Sequence, residues 1–150
     1  MSGSCDIMPT HREANKIMKK CLLLNSEISY EIAKLGHTQS ITIGDAGLPI
    51  PKNVKRIDLA VTKQIPTFLQ VLDAVLSEMK VEKITLADEI NTRASDLNDQ
   101  ILQRFSQYGI TVEYVTHEQF KKITEQSTAI LRTGETTPYA NIILTAGVTF

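Results

Sequence analysis

Apolar residues along this chain switch between two spacings, every second position and every third or fourth, and the switches recur from Lys20 onward. Ile28, Ile32, Ala33 and Leu35 follow at helical spacing behind a cap at Asn25-Ser26, and Gly36 ends the run. Ser40-Ile41-Thr42-Ile43 alternates as a strand, and Asp45-Ala46-Gly47-Leu48-Pro49-Ile50-Pro51 breaks it as a rigid loop. Ile57, Leu59 and Val61 alternate as a second strand. Pro66 then opens a long helix whose Phe68, Leu69, Leu72, Val75, Leu76 and Met79 make one apolar face. Lys83 to Ala87 reads as a buried strand, Ser95 to Tyr108 as a helix capped by Ser95 and stopped by Gly109, and Ile110 to Val115 as another strand. A short helix from His117 to Ile123, a strand from Ala129 to Leu131, the loop from Arg132 to Pro138 and a strand from Asn141 to Ala146 complete the pattern. This alternation predicts an α/β layered domain, with functional groups where strands give way to loops.

Length and composition narrow the picture. The chain has 150 residues, 42% of them hydrophobic, enough for one domain with a single core. Residues 1–17 are polar, follow neither period and precede Met18-Lys19-Lys20, which reads like a bacterial start. They are expected to be a disordered leader or upstream extension, leaving 18–150 as the domain. Cys5 and His11 in this stretch supply too few ligands for a structural zinc site, which takes four. Net charge is −1, from 16 basic and 17 acidic residues, without a basic stripe, so nucleic acid and anionic membranes are not expected partners. A neutral substrate suits this balance better. No apolar run approaches the roughly 20 residues of a membrane span, and the N-terminus lacks an apolar signal core, so a cytoplasmic location is expected. Cys5 and Cys21 offer neither a metal knuckle nor a framework of bridges, in keeping with a reducing compartment.

The candidate chemistry lies in turns. Gly36-His37-Thr38 precedes the first strand, Asp45 follows it, Thr116-His117-Glu118 follows a later strand, and Pro138-Tyr139-Ala140-Asn141 leads into the last. Histidine titrates near neutrality, so a histidine near a carboxylate can move a proton in either direction. Each residue also has a purely architectural reading. His37 could interact with the last carbonyls of a helix, Asp45 could fold onto its own turn, and Thr116 with Gln119 could form a capping box that explains the surroundings of His117. Tyr139 could be a packing aromatic and Asn141 a strand-entry residue. The chain lacks the GxxxxGK[ST], GxGxxG, HExxH and GxSxG patterns, which sets aside the nucleotide, zinc-protease and serine-hydrolase chemistries that depend on them. What remains is a polar set (His37, Asp45, His117, Tyr139 and Asn141) that a folded sheet could gather into one pocket.

Taken together, these segments resemble the ribose pyranase and fucose mutarotase family, over about Met18 to Phe150. The resemblance is carried by LNSEIS, LGHT at 35–38, GDAGLPIP at 44–51, RIDLAVT at 56–62, IPTFLQVLDAV at 65–75, THEQFK at 116–121 and the closing TGETTPYANIILTAGVTF. THEQFKK and PYANIIL…AGVTF favour the ribose branch. The resemblance implies a central mixed sheet flanked by helices, and an isomerase that interconverts the pyranose and furanose forms of free D-ribose for ribose catabolism. It implies His37 as proton donor, with Asp45, His117, Tyr139, Ala140 and Asn141 binding the sugar. Lys121 is either a further sugar contact or a solvent-facing lysine. The family is a homo-oligomer, a decamer of two pentamers with active sites at subunit boundaries. Opening a hemiacetal needs an acid and a base but no redox step, so no cofactor and no metal is expected. Two other readings remain open: a mutarotase for L-fucose or another sugar, and a non-catalytic sugar-binding accessory protein.

Overall fold

In a computed structural model, residues 18–150 are described; the expectations for 1–17, including Cys5 and His11, lie outside them. Among the described residues, five α-helices and six strands follow one another as α1 (Ser26–Lys34), β1 (Ser40–Gly44), β2 (Lys55–Asp58), α2 (Phe68–Leu76), β3 (Val81–Ala87), α3 (Ile90–Arg93), α4 (Ser95–Phe105), β4 (Thr111–Val115), α5 (His117–Ile123), β5 (Ala129–Arg132) and β6 (Ile142–Ala146). Three of these helices, α1, α2 and α5, start at side chains that satisfy otherwise orphaned N–H groups. Asn25 accepts from Ile28 N–H at 2.9 Å to open α1. Thr67 with Gln70, and Thr116 with Gln119, form reciprocal capping boxes at α2 and α5.

The strands form one sheet in the order β2-β5-β1-β6-β3-β4. All neighbours pair in parallel except β6, which runs antiparallel to both β1 and β3. The predicted layered α/β domain with a mixed sheet is therefore the fold observed. Alternate residues of the central strands enter opposite faces, as a two-residue side-chain period requires. Ile142 and Leu144 join the larger core with Phe68, Leu72, Val75, Ile101 and Phe105, which come from α2 and α4. Ile143 and Ile130 face the other way, against Leu48, Val54 and Phe120. Helices thus cover both faces of the sheet, and β2 and β4 are its edges.

Several expectations shift. The second strand ends at Asp58 rather than running to Val61, which is 80% exposed. Asp58 folds back to accept from Ala60 N–H, and residues 61–65 close a tight turn through Val61 N–H to Ile65 carbonyl. Ser95 is not a cap: it is the first residue of α4, the cap position is held by Ala94 without a side-chain bond, and α3 precedes it. The four residues of α3 bury only Ile90, too short a segment to show a period. The α4 helix stops at Phe105, leaving Tyr108 in an exposed turn. Among the described residues no helix is long and apolar enough to cross a membrane.

Candidate active site

Because five strands share one direction and β6 opposes them, the carboxyl ends of β1, β3 and β4 lie at the same edge of the sheet as the start of β6. Asp45 follows β1, Arg93 ends α3 just beyond β3, His117 follows β4, and Asn141 precedes β6. Asp45, Leu48, Pro49, Arg93, His117 and Tyr139 line a cavity of about 250 Å³ at that edge. Drug-sized ligands commonly occupy roughly 300–1,000 Å³, so this space suits a small polar molecule.

Asp45 is held on three sides. Its Oδ1 accepts from Gly47 N–H at 2.9 Å, its Oδ2 accepts from Asn141 Nδ2 at 3.1 Å, and its own N–H donates to Asn141 Oδ1 at 2.8 Å. Gly44 makes room for this exchange, since a Cβ there would lie 3.2 Å from Asn141 Oδ1 and 2.6 Å from Leu48 Cδ2. Burial pushes the Asp45 carboxyl above its ordinary range, against the opposing pull of Gly47 N–H, Asn141, the His117 charge and Leu48 N–H.

The capping box at Thr116 does form, so the architectural reading of that segment is correct, and it coexists with a ring in the cavity wall. The His117 N–H donates to both oxygens of Glu89, at 3.1 and 3.0 Å. Its ring meets Tyr139 edge-on at 5.2 Å and stacks near Phe120 at 6.4 Å. Nδ1 of His117 is buried and makes no hydrogen bond among the described residues. A buried polar atom without a partner is costly, so a ligand hydroxyl reaching it would be favoured. Tyr139 takes φ 62°, a left-handed conformation unusual for a non-glycine residue. Arg93 stands 5.9 Å over the Tyr139 ring.

The remaining expected residues divide. Ala140 and Asn141 are fully buried, so Asn141 acts on the cavity through Asp45 rather than by lining it. Lys121 pairs with Glu118 at 2.6 Å, one turn along the same helix. His37 is not in this cavity. It precedes β1 whereas Asp45 follows it, and a strand of five residues separates the two by roughly 15–17 Å. Within one copy the cavity therefore gathers Asp45, His117 and Tyr139 but not His37. At the far edge, His37 is 51% exposed and its Nε2 lies 2.8 Å from Glu82 Oε2.

Glu89, Arg93 and Glu135 escaped the motif reading. Glu135 is 7% exposed; its carboxylate accepts from Phe68 N–H at 3.1 Å and from Thr137 Oγ1 at 2.9 Å, and its carbonyl accepts from Ala46 N–H at 2.9 Å. It thus ties the loop after β5 to the loop carrying Asp45. Burial acts to raise the Glu135 carboxyl, but the hydrogen bonds from Phe68, Thr137 and Gln64 outweigh it and hold the group below its usual range. A larger groove, about 500 Å³, adjoins the cavity through Arg93, but it is lined by Thr67, Ser95, Asp96 and Glu135 and holds no histidine.

The chain is similar to known proteins over nearly all of the described residues. It is 54% identical over 135 residues to the D-ribose pyranase of Rhodopirellula baltica, covering 89% of this chain and 100% of that protein. The structure of Bacillus subtilis RbsD complexed with D-ribose aligns with a TM-score of 0.84 and 44% identity, over 89% of this chain and 100% of the other. FucU from Bifidobacterium longum shares the fold, at TM-score 0.69 and 21% identity, over 85% and 97% of the two chains. The sequence profile of one family matches residues 18–149, and the chain belongs to that family, the RbsD / FucU transport protein family.

Proposed function

We propose that the protein interconverts the pyranose and furanose forms of free D-ribose, with His37 of one copy completing the cavity of another. The observation that carries this reading is the cavity at the Asp45 edge: a pinned carboxylate beside the unpartnered Nδ1 of His117, in a space of about 250 Å³. The relatives at 54% and 52% identity that bear the name D-ribose pyranase support the same sugar and the same reaction.

Ring opening breaks the bond between C1 and the ring oxygen, turns the anomeric hydroxyl into an aldehyde and leaves a hydroxyl where the ring oxygen was. His37 gives a proton to the ring oxygen as the bond breaks, and Asp45 takes the proton of the anomeric hydroxyl. Closure by a different hydroxyl reverses both transfers, so the protein ends unchanged. The raised Asp45 carboxyl makes it a better base than an exposed aspartate. His117 and Tyr139 orient the sugar, one through a ring nitrogen and the other through an aromatic face. Positioned acids and bases each contribute roughly 10²–10⁴-fold, a useful gain for a reaction that also runs in water.

Association of copies is supported by exposed apolar side chains, among them Leu22, Leu24, Tyr30, Val61, Ile65 and Phe150. A closed ring, pentamer or decamer, supplies each cavity with a neighbour's His37. Magnetisation exchange between the ribose pyranose and furanose signals in NMR tests the function. Wild-type protein is expected to speed exchange of ribose more than of fucose, and His37→Ala to abolish the effect. Ribose bound without faster exchange would instead identify a sugar-binding accessory protein, and faster exchange of fucose a sister mutarotase.

A further inference from the structure

We infer that Glu82 is a positioning residue for His37, fixing Nδ1 as the nitrogen that exchanges protons with the sugar; the inference rests on the catalytic role proposed for His37. Three segments converge at this second edge of the sheet. The turn carrying His37 is pinned by Thr38 N–H to the Ala146 carbonyl at 3.0 Å, and Gly36 and Gln39 close it on themselves. Glu82 sits on the exposed side of β3, between buried Val81 and Ile84. Gly147, directly after β6, donates to the Lys80 carbonyl at 2.9 Å. A Cβ on Gly147 would come within 3.1 Å of Glu82 Cβ and 3.5 Å of Glu82 Oε2, so glycine there leaves the carboxylate its room.

The pair is poorly explained as a stabilising contact. Both side chains are about half exposed, 51% and 42%, and exposed ion pairs contribute little to stability. Its geometry, however, decides the chemistry of the ring. A carboxylate only accepts, so at 2.8 Å Nε2 carries the proton and donates it to Glu82 Oε2. The neutral ring then presents its lone pair at Nδ1, which makes no hydrogen bond among the described residues. In the cycle, Nδ1–H of the imidazolium passes to the ring oxygen as the C1–O bond breaks, and the attacking hydroxyl returns a proton to Nδ1 on closure. Nε2–H stays on Glu82 throughout. The carboxylate keeps the neutral ring in the productive tautomer, the part that a histidine's second partner commonly plays.

Glu82→Ala and Glu82→Gln, compared with His37→Ala in the intact oligomer, test this. Exchange rates as a function of ribose concentration give kcat and KM separately, and long-range ¹H–¹⁵N spectra of the His37 ring report its tautomer. In Glu82→Ala, kcat is expected to fall about 10–100-fold with KM within about twofold of wild type, and the Nε2–H tautomer to lose its dominance. Glu82→Gln, which can still accept through its amide oxygen, is expected to keep the tautomer and recover part of kcat. Wild-type kcat in Glu82→Ala, a loss confined to KM, or a loss that tracks dissociation of the oligomer would each overturn the inference. Full activity in His37→Ala would instead remove the catalytic role of His37, a failure distinguishable from the first because it leaves the Glu82 spectra unaffected.

Discussion

Asp45 and Asn141 exchange hydrogen bonds in both directions across 96 positions of sequence: backbone N–H to side-chain oxygen at 2.8 Å, and side-chain amide to carboxylate at 3.1 Å. A fully buried amide thus fixes both the peptide and the carboxylate of the residue proposed as base. Replacing Asn141 with alanine leaves two partners unpaired. A loss of about 1–3 kcal/mol of stability is expected, together with a drop of about tenfold in kcat/KM. Urea unfolding and exchange NMR measure the two, and an unchanged kcat/KM would separate Asn141 from the chemistry.

The raised Asp45 carboxyl has a signature in stability. An acid whose folded value exceeds its unfolded one binds protons more readily when folded. Its stabilising contribution is full below the ordinary value of 3.8 and is lost as pH rises through the folded value. Wild type should therefore gain stability relative to Asp45→Ala as pH falls from 7 towards 4. Paired unfolding curves at a series of pH values check this, and a flat or opposite trend would contradict the burial argument.

Glu135 should behave in the opposite sense. Its carboxyl is held below the ordinary 4.5, so its contribution is present above that value and disappears as pH falls through the lower folded value. Glu135→Gln is expected to cost about 1–3 kcal/mol at pH 7 and progressively less below pH 4.5. Unfolding midpoints at pH 7 and in the acid range read the difference directly.

If each site combines His37 of one copy with Asp45 of another, two inactive variants should rescue one another. Equal amounts of His37→Ala and Asp45→Ala subunits, dissociated and reassembled together, place both intact residues at about one quarter of the sites. Exchange activity near that fraction of wild type is expected. A mixture as inactive as its parents would place both residues in a site built from one chain.

The strand and helix order was legible in the sequence because burial on both faces of a sheet imposes its period wherever an element is long enough. It failed where that pressure is absent: α3 is a single turn with one buried residue, and the alternation of Leu59 and Val61 continues past the last paired residue of an edge strand. The start of the helix from His117 to Ile123 is legible because its capping box, Thr116 with Gln119, lies within a single turn of sequence. Site membership was less legible. That His37 and Asp45 bracket one strand could have been read from the pattern, and it already sets them at opposite edges. Glu82, Glu89 and Arg93 carry no motif; their importance comes from what lies across the sheet from them, and only the fold supplies that.

The antiparallel strand β6 touches both halves of this arrangement. Asn141 at its entrance holds Asp45, while Ala146 and Gly147 at its exit frame the turn of His37 and the carboxylate of Glu82. If His37 of one copy completes the cavity of another, as proposed, each copy is a donor at one end and an acceptor at the other, in the manner of a link with a hook and an eye. Two such links facing each other by a simple twofold need not satisfy both ends, whereas head-to-tail joining does so for every member once the circle closes. An open string would always strand one hook and one eye, so closure, more than any single contact, sets how many working sites an assembly contains.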